Sequence, residues 1–382
     1  MAVLFWFSIA FIAYVTIGYP LILLTIWKIK GRRPVPQAGA PMRVDFLIPA
    51  HNEGAVIADK LKNTLALHNT VGHEISILVV SDGSTDDTVA QAQSVQDPRI
   101  RVLETPGRLG KLDALNFALE HLSGDIVIFS DANSLLSDVA LDKMIPHYTD
   151  PDVGGVCGQL RIDTKKGGDI AQADDFYWRY DQMLKHAESD LGGVVTAQGS
   201  IYSIRRALLQ PLPKGPADDF LNSVRVVDQG YRLAFEPDAT TFEQVTERAT
   251  DEMGRRIRST EMGWNGLMMM RHLMNPFRHG YYGWQLLSHK GLRRLTPLAL
   301  IFAFLANLFL MTQGAGWLIL GLLQIAFYGL ALAVWLVPSL RRIPLSSKVM
   351  FFCMANLAML LGIIRYYAGY RSSVWTPIRE NP

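Results

Sequence analysis

Four long apolar stretches frame this chain, and they restrict its fold more than anything that lies between them. Residues 3–27 run uncharged for about 25 positions, long enough to cross a hydrocarbon core as a tilted helix. Residues 298–311, 317–337 and 349–364 form three further apolar runs, the first, counted from Leu295, and the last near the lower limit of about 17 residues for a span. Hydrophobic residues make up 49% of the sequence, and the excess is concentrated in these stretches. A cleaved signal peptide is the rival reading of the first one. Trp6, Tyr14, Tyr19 and Trp27 populate it, however, and its basic cluster follows rather than precedes it. That cluster, Lys28, Lys30, Arg32 and Arg33, places the amino terminus outside and the next domain in the cytoplasm by the positive-inside rule. Four spans would put the carboxyl terminus outside, whereas Arg365, Arg371 and Arg379 argue for inside, and the sequence leaves this open. The expected organisation is a membrane helix over 1–30, a linker over 31–42, a cytoplasmic domain over 43–270, an interfacial segment over 271–295 and a membrane region of about three helices over 296–382. This describes a multi-pass protein of the cell (inner) membrane.

Between the membrane stretches the pattern changes to alternating strands and helices, the mark of an α/β domain. Strands are expected over 44–49, 75–80, 100–103 and 126–129, with helices between them and parallel order as the default. After Val153 the alternation loosens. A long helix over 169–190, a strand over 194–197, a helix from Asp219 to Gln229 and a strand over 231–235 are expected there, then a basic helix through Arg255, Arg256 and Arg258 to Arg271. A net charge of +2, with Lys and Arg interspersed among carboxylates, gives no nucleic-acid surface. Cys157 and Cys353 lack metal-ligand spacing and read as packing residues.

Each early strand runs out into polar residues, and the carboxyl ends of such strands are where open α/β sheets bind ligands. The run Gly124 to Phe129 delivers Asp131 and Asn133, two oxygen donors suited to a divalent cation, although Asp131 reads equally as a cap of the next helix. Asp82, released by the turn at Gly83, can accept hydrogen bonds from a base or ribose, or can belong to a plain strand-to-helix turn. Lys111 follows Gly110 at a helix start and suits a diphosphate, but the spacing is not that of a P-loop, and no dinucleotide fingerprint follows the first strand. Asp218 and Asp219 read either as first-turn dipole partners or as a general base whose proton affinity the neighbouring carboxylate raises. His51 reads as a packing residue of the first loop.

Taken in order, Ile48-Pro49-Ala50-His51-Asn52-Glu53, Asp82-Gly83-Ser84-Thr85-Asp86, Gly110-Lys111-Leu112-Asp113-Ala114-Leu115-Asn116, Ser130-Asp131-Ala132-Asn133 and Asp218-Asp219 resemble the motifs of membrane-bound family 2 glycosyltransferases of GT-A fold. The resemblance covers about residues 43–270, and the flanking spans are similar to those of the chitooligosaccharide, poly-N-acetylglucosamine, hyaluronan and cellulose synthase group. It implies a GT-A (Rossmann-like) mixed-sheet domain flanked by transmembrane helices, and inverting transfer of a hexosyl or N-acetylhexosaminyl group from a nucleoside-diphosphate sugar, usually of uridine. By matching position, Pro49, Ala50, Glu53, Asp82, Lys111 and Asp131 would bind the donor, Asp131 and Asn133 would hold Mg2+ or Mn2+, and Asp219 would be the base. Gly199, Ser200, Asp218, Arg255, Arg256 and Arg258 fall on the acceptor side. The implied partners are a nucleotide-sugar donor, a glycan or lipid acceptor, the bilayer, and export or assembly proteins. Two departures qualify the match. Asn133 stands where many relatives have a second Asp, which weakens cation binding. Arg255-Arg256-Ile257-Arg258-Ser259 stands where processive members carry Gln-x-x-Arg-Trp, so the aromatic acceptor platform is missing there; Trp264, five residues on, reads as a substitute or, preferentially, as a membrane-face residue. A growing polysaccharide and a single sugar placed on a lipid therefore both stand as products.

Overall fold

The computed structural model describes residues 1–34, 37–162, 169–243 and 249–370, so Arg371 and Arg379 lie outside it. The chain enters through α1 (Ala2–Ala13), a π-helical turn (Tyr14–Gly18) and α2 (Tyr19–Lys30). The α/β part then runs β1 (Arg43–Ala50), α3 (Gly54–Leu65), β2 (Glu74–Ser81), α4 (Thr88–Ser94), β3 (Ile100–Glu104), α5 (Lys111–Leu119) and β4 (Ile126–Phe129). It continues through β5 (Leu135–Leu136), α6 (Ala140–Met144), β6 (Val153–Ile162), α7 (Asp169–Leu191), β7 (Tyr202–Arg205), α8 (Asp218–Asp228), β8 (Arg232–Glu243) and α9 (Ala249–Met269). Then come α10 (Pro276–Gln285), α11 (Thr296–Leu310), α12 (Ala315–Leu336) and α13 (Ser346–Tyr367).

The strands form one sheet in the order β3-β2-β1-β4-β7-β6-β8-β5. The β3-β2-β1-β4 half is parallel throughout, whereas β7 runs antiparallel to both β4 and β6, and β8 runs parallel to β6 and antiparallel to β5. Period-two alternation explains how one sheet carries two cores. Val44, Phe46 and Ile48, with Ile77, Val79, Ile126 and Ile128, pack on Ile57 and Leu61 of α3 and on Leu141 and Met144 of α6. Leu47, Leu78, Val80, Val127 and Phe129 point the other way, onto Leu112 and Leu115 of α5, Phe220 and Leu221 of α8, and Trp264 and Leu267 of α9. Each such side chain contributes about 1.5–3 kcal/mol through burial.

The mixed half differs from the expectation. Residues 194–197 form no strand; they are buried and irregular, with Val194 N–H donating to Leu233 O at 2.8 Å and Ala197 N–H donating to Ser223 Oγ at 2.8 Å. Strand β6 starts where the alternation loosens because its glycines hide it. A Cβ on Gly155 would lie 2.6 Å from Leu233 Cδ1, and one on Gly158 would lie 2.5 Å from Ala239 O, so close strand packing requires the residues that weaken the strand pattern.

Four helices, Ala2–Lys30, Thr296–Gln313, Ala315–Leu336 and Ser346–Tyr367, are long and apolar enough to cross a membrane. They are fastened to the α/β part at two places. On α2, Tyr19 Oη donates to Glu188 Oε1 of α7 at 2.6 Å, His289 Nδ1 lies 2.6 Å from the same oxygen, and Trp27 Nε1 donates to Asp190 Oδ2 at 2.7 Å. These partners satisfy polar groups that would otherwise be costly to bury. At the other place α13 lies against α9. Gly362 sits so near that a Cβ would be 2.7 Å from Thr260 Cβ, Arg365 pairs with Glu261 at 3.2 Å, and Ile363 enters the core that holds Phe220 and Trp264.

Candidate active site

A small crevice opens at the carboxyl ends of β1, β2 and β4, lined by Pro49, Ala50, His51, Asp82, Lys111, Ala114 and Asp131. Parallel pairing sets Ala50 opposite Ser81, which brings the first two loops side by side. They are then locked together: His51 Nδ1 lies 2.7 Å from Asp82 O, Asn52 Oδ1 accepts from Thr85 N–H at 2.8 Å, and Glu53 N–H donates to Thr88 Oγ1 at 2.7 Å. Asn52 adopts a φ of 53°, a left-handed conformation that Asn tolerates better than most residues. His51 packs here as its sequence context suggests.

Asp82 is buried, and both of its oxygens accept backbone N–H groups, from Leu109 at 2.6 Å and from Gly110 at 2.9 Å. The next residue, Lys111, donates to Asp131 Oδ1 at 2.9 Å and lies 3.5 Å from Asp218 Oδ2. Burial disfavours the Lys111 ammonium, but Asp131 and Asp218 overcome this and hold its pKa well above the ordinary lysine value. Asp218 and Asp219 begin α8. Burial, followed by the adjacent Asp218, pushes the Asp219 carboxyl up to about 6, against the opposing pull of Lys111. The Asp219 side chain faces Gly199, where a Cβ would stand 3.4 Å from its Oδ2. Ser200 is buried, and its hydroxyl has no partner among the described residues.

Of the candidate donor-binding residues, Pro49, Ala50, Asp82, Lys111 and Asp131 line the crevice, and Glu53 is buried in the first loop behind it. Asn133 is exposed and does not line the crevice. Gly199, Ser200, Asp218 and Asp219 do not line the crevice either; they lie beside it, with Asp218 Oδ2 3.5 Å from Lys111 Nζ, and β7 pairs antiparallel with β4, where Phe129 and Tyr202 stack at 4.6 Å. Such a ring pair contributes about 0.5–1.5 kcal/mol beyond its burial. The basic run of α9 sits elsewhere. Arg255 and Arg256 pair with Glu252, the Arg256 guanidinium lies 4.7 Å from the Phe351 ring of α13, and Arg258 does not line the crevice. Trp264 is 6% exposed in the core beside Phe220, so it is neither a platform nor a membrane-face residue.

Sequence reading missed what ties the two walls together. Lys60, fully buried on α3, donates to Ser130 Oγ at 2.7 Å and to Ser134 O at 2.6 Å, and Ser130 Oγ donates to Ser200 O at 3.0 Å. The available signal was a lysine flanked on the apolar face of α3 by Ile57 and Leu61.

The donor set suits a hard cation. Asp131 supplies a carboxylate at the crevice wall, and Asp218 and Asp219 lie behind the Lys111 ammonium. Among the described residues no group of three or more His, Cys, Asp or Glu side chains forms a ready-made metal site, so ligand oxygens would have to complete the coordination.

Residues 45–212 match the domain described as glycosyl transferase family 2. An N-acetylglucosaminyltransferase of Rhizobium sp. (strain N33) is 25% identical over 231 residues, covering 56% of this chain and 51% of that protein. A poly-beta-1,6-N-acetyl-D-glucosamine synthase of Staphylococcus aureus (strain COL) is 26% identical over 233 residues, covering 59% of this chain and 55% of that protein. The chain thus spans about half the length of these relatives. Among solved structures, a mannosyltransferase from Pyrobaculum calidifontis in complex with GDP-Man and Mn2+ superposes with a TM-score of 0.70 at 24% identity, over 95% of this chain and 99% of that one. That likeness extends the shared GT-A architecture through the membrane helices. Residues 45–212 are accordingly similar to family 2 glycosyl transferase domains, in a chain of GT-A fold whose described residues include helices long and apolar enough to cross a membrane.

Proposed function

We propose that this protein is an inverting glycosyltransferase of the inner membrane that takes a sugar from a nucleoside-diphosphate donor on the cytoplasmic side and adds it to a polysaccharide growing at the membrane. The observation that carries this reading is the half-buried Asp219, its carboxyl raised to about 6 by burial and by Asp218, whose own carboxylate lies 3.5 Å from the Lys111 ammonium that pairs with Asp131. A carboxylate of that proton affinity is ionised at neutral pH yet basic enough to accept the proton of an acceptor hydroxyl. That hydroxyl oxygen attacks the anomeric carbon as the bond to the diphosphate breaks, and the bonding electron pair leaves on the diphosphate oxygen. Asp82 and the Pro49–Ala50 backbone hold the nucleoside, and Lys111 faces the diphosphate. A Mg2+ or Mn2+ held by Asp131 would supply positive charge to the leaving group. The relatives' N-acetylglucosamine chemistry favours that sugar and a uridine donor.

A second reading, transfer of one sugar to a lipid acceptor, is favoured by the basic run of α9. It faces Glu252 and α13 instead of offering an aromatic platform to an acceptor glycan. Membranes carrying the protein, incubated with radiolabelled UDP-GlcNAc, UDP-Glc and GDP-Man, separate the two: long products support the first reading, and one-sugar lipid products the second. Turnover retained by Asp219→Asn would falsify the base assignment.

A further inference from the structure

Two of the carboxylates assigned to the donor, Asp82 and Asp131, are both engaged by one three-residue segment. The N–H groups of Leu109 and Gly110 occupy the two oxygens of Asp82, and the Nζ of Lys111 occupies Asp131 while reaching Asp218. The segment begins beside an open glycine, Gly107, and contains Gly110 at a φ of 97°, so its backbone has conformations closed to other residues. Leu109 in this segment is 39% exposed.

We infer that Leu109–Lys111 is a built-in surrogate for the donor, with Lys111 as the resident counter-ion of Asp131 and Asp218, so that a divalent cation enters only together with a nucleoside diphosphate that receives the displaced ammonium. This rests on the transferase reading of the crevice and adds an order of binding to it. The reasoning is electrostatic. A cation arriving alone would meet Lys111 on the same carboxylate, with like charges a few ångströms apart in a partly buried site. A diphosphate removes the conflict, because its oxygens accept both the ammonium and the cation. Asn133 sharpens the dependence: the motif offers one carboxylate rather than two, so the protein's own hold on a cation is weak while Lys111 sits there.

Titration of the detergent-solubilised full-length protein with Mn2+, followed by electron paramagnetic resonance with and without UDP or GDP, tests this. Wild type should bind Mn2+ at least about tenfold more tightly with a nucleoside diphosphate than without one, the size of effect typical of groups that flank a metal ligand. Lys111→Gln should gain about tenfold in affinity for Mn2+ alone, and adding Asp131→Asn should abolish that gain. Equal Mn2+ affinity of the wild type with and without nucleotide would overturn the inference, as would an unchanged affinity in Lys111→Gln. Should that variant not fold, the wild-type pair of titrations decides alone. The Mn2+-only arms need no donor. If neither nucleotide binds at any Mn2+ concentration, the transferase reading fails, whereas tight Mn2+ binding by the nucleotide-free wild type defeats only the surrogate.

Discussion

The parallel and mixed halves of the sheet position their polar groups by different means. In the parallel half, β1, β2 and β4 each end in a polar loop, and the strand register alone brings Pro49, Ala50, Asp82 and Asp131 together. In the mixed half no strand end carries the chemistry. Asp218 and Asp219 come from a helix start, Gly199 and Ser200 from a buried irregular segment, and hydrogen bonds from Lys60 through Ser130 hold that segment to the other wall. A repeating sheet can place a diphosphate site by register. The groups of the mixed half have to be assembled from side-chain contacts between elements distant in sequence, and are correspondingly easier to disturb one residue at a time.

Four measurements break or sharpen this contrast. The largest effect is expected at Asp219, where Asn keeps the shape and removes the base: turnover should fall by about 10²–10⁴-fold while the donor dissociation constant stays within a few-fold. Equal losses in both would place Asp219 on the donor wall. Next, Asp131→Asn should lower turnover by about 10²-fold with donor affinity falling in parallel, and chelator should abolish activity that Mg2+ or Mn2+ restores. Chelator-insensitive transfer would remove the cation from the parallel half altogether. Third comes pH. Burial and Asp218 raise Asp219 to about 6, and the base must be ionised to act. Turnover should therefore be level above that pH and drop about tenfold per unit below it, a limb that Asp219→Asn should lack. The smallest effect belongs to Gly199→Ala, whose methyl would approach Asp219 Oδ2 to 3.4 Å: the acceptor KM should rise a few-fold with the donor KM unchanged. A shift in donor KM would mean that the walls are not separable.

The same contrast explains what the sequence made legible. Parallel strands buried on both faces read as continuous apolar runs, so β1, β2 and β4 and the residues at their ends were visible without a structure. Strand β6 was not, because Gly154, Gly155 and Gly158 are there for close approach and weaken the strand pattern. The apolar run at residues 194–197 looked like a strand because burial, not pairing, selects its residues. Lys60 was invisible as a partner of Ser130, since nothing local couples positions 70 residues apart. Trp264 misled because an aromatic near a membrane stretch suggests an interfacial anchor, whereas here it fills the space beneath Phe220.

The seating of α13 on α9 has a practical corollary for anyone preparing this protein. Ile363 and Tyr366 lie on the core that contains Phe220, the residue next to Asp219, while Tyr19 and Trp27 bind α7 from the other flank. A version trimmed to residues 43–270 would lose the lids of its own interior, uncover an apolar surface beside Asp219 and favour aggregation over solubility. Detergent or nanodisc samples of the whole chain are therefore the form in which the proposed activity can be read, and lipid composition belongs among the variables, because α13, one of the helices long and apolar enough to cross a membrane, shares one packed interior with the candidate site.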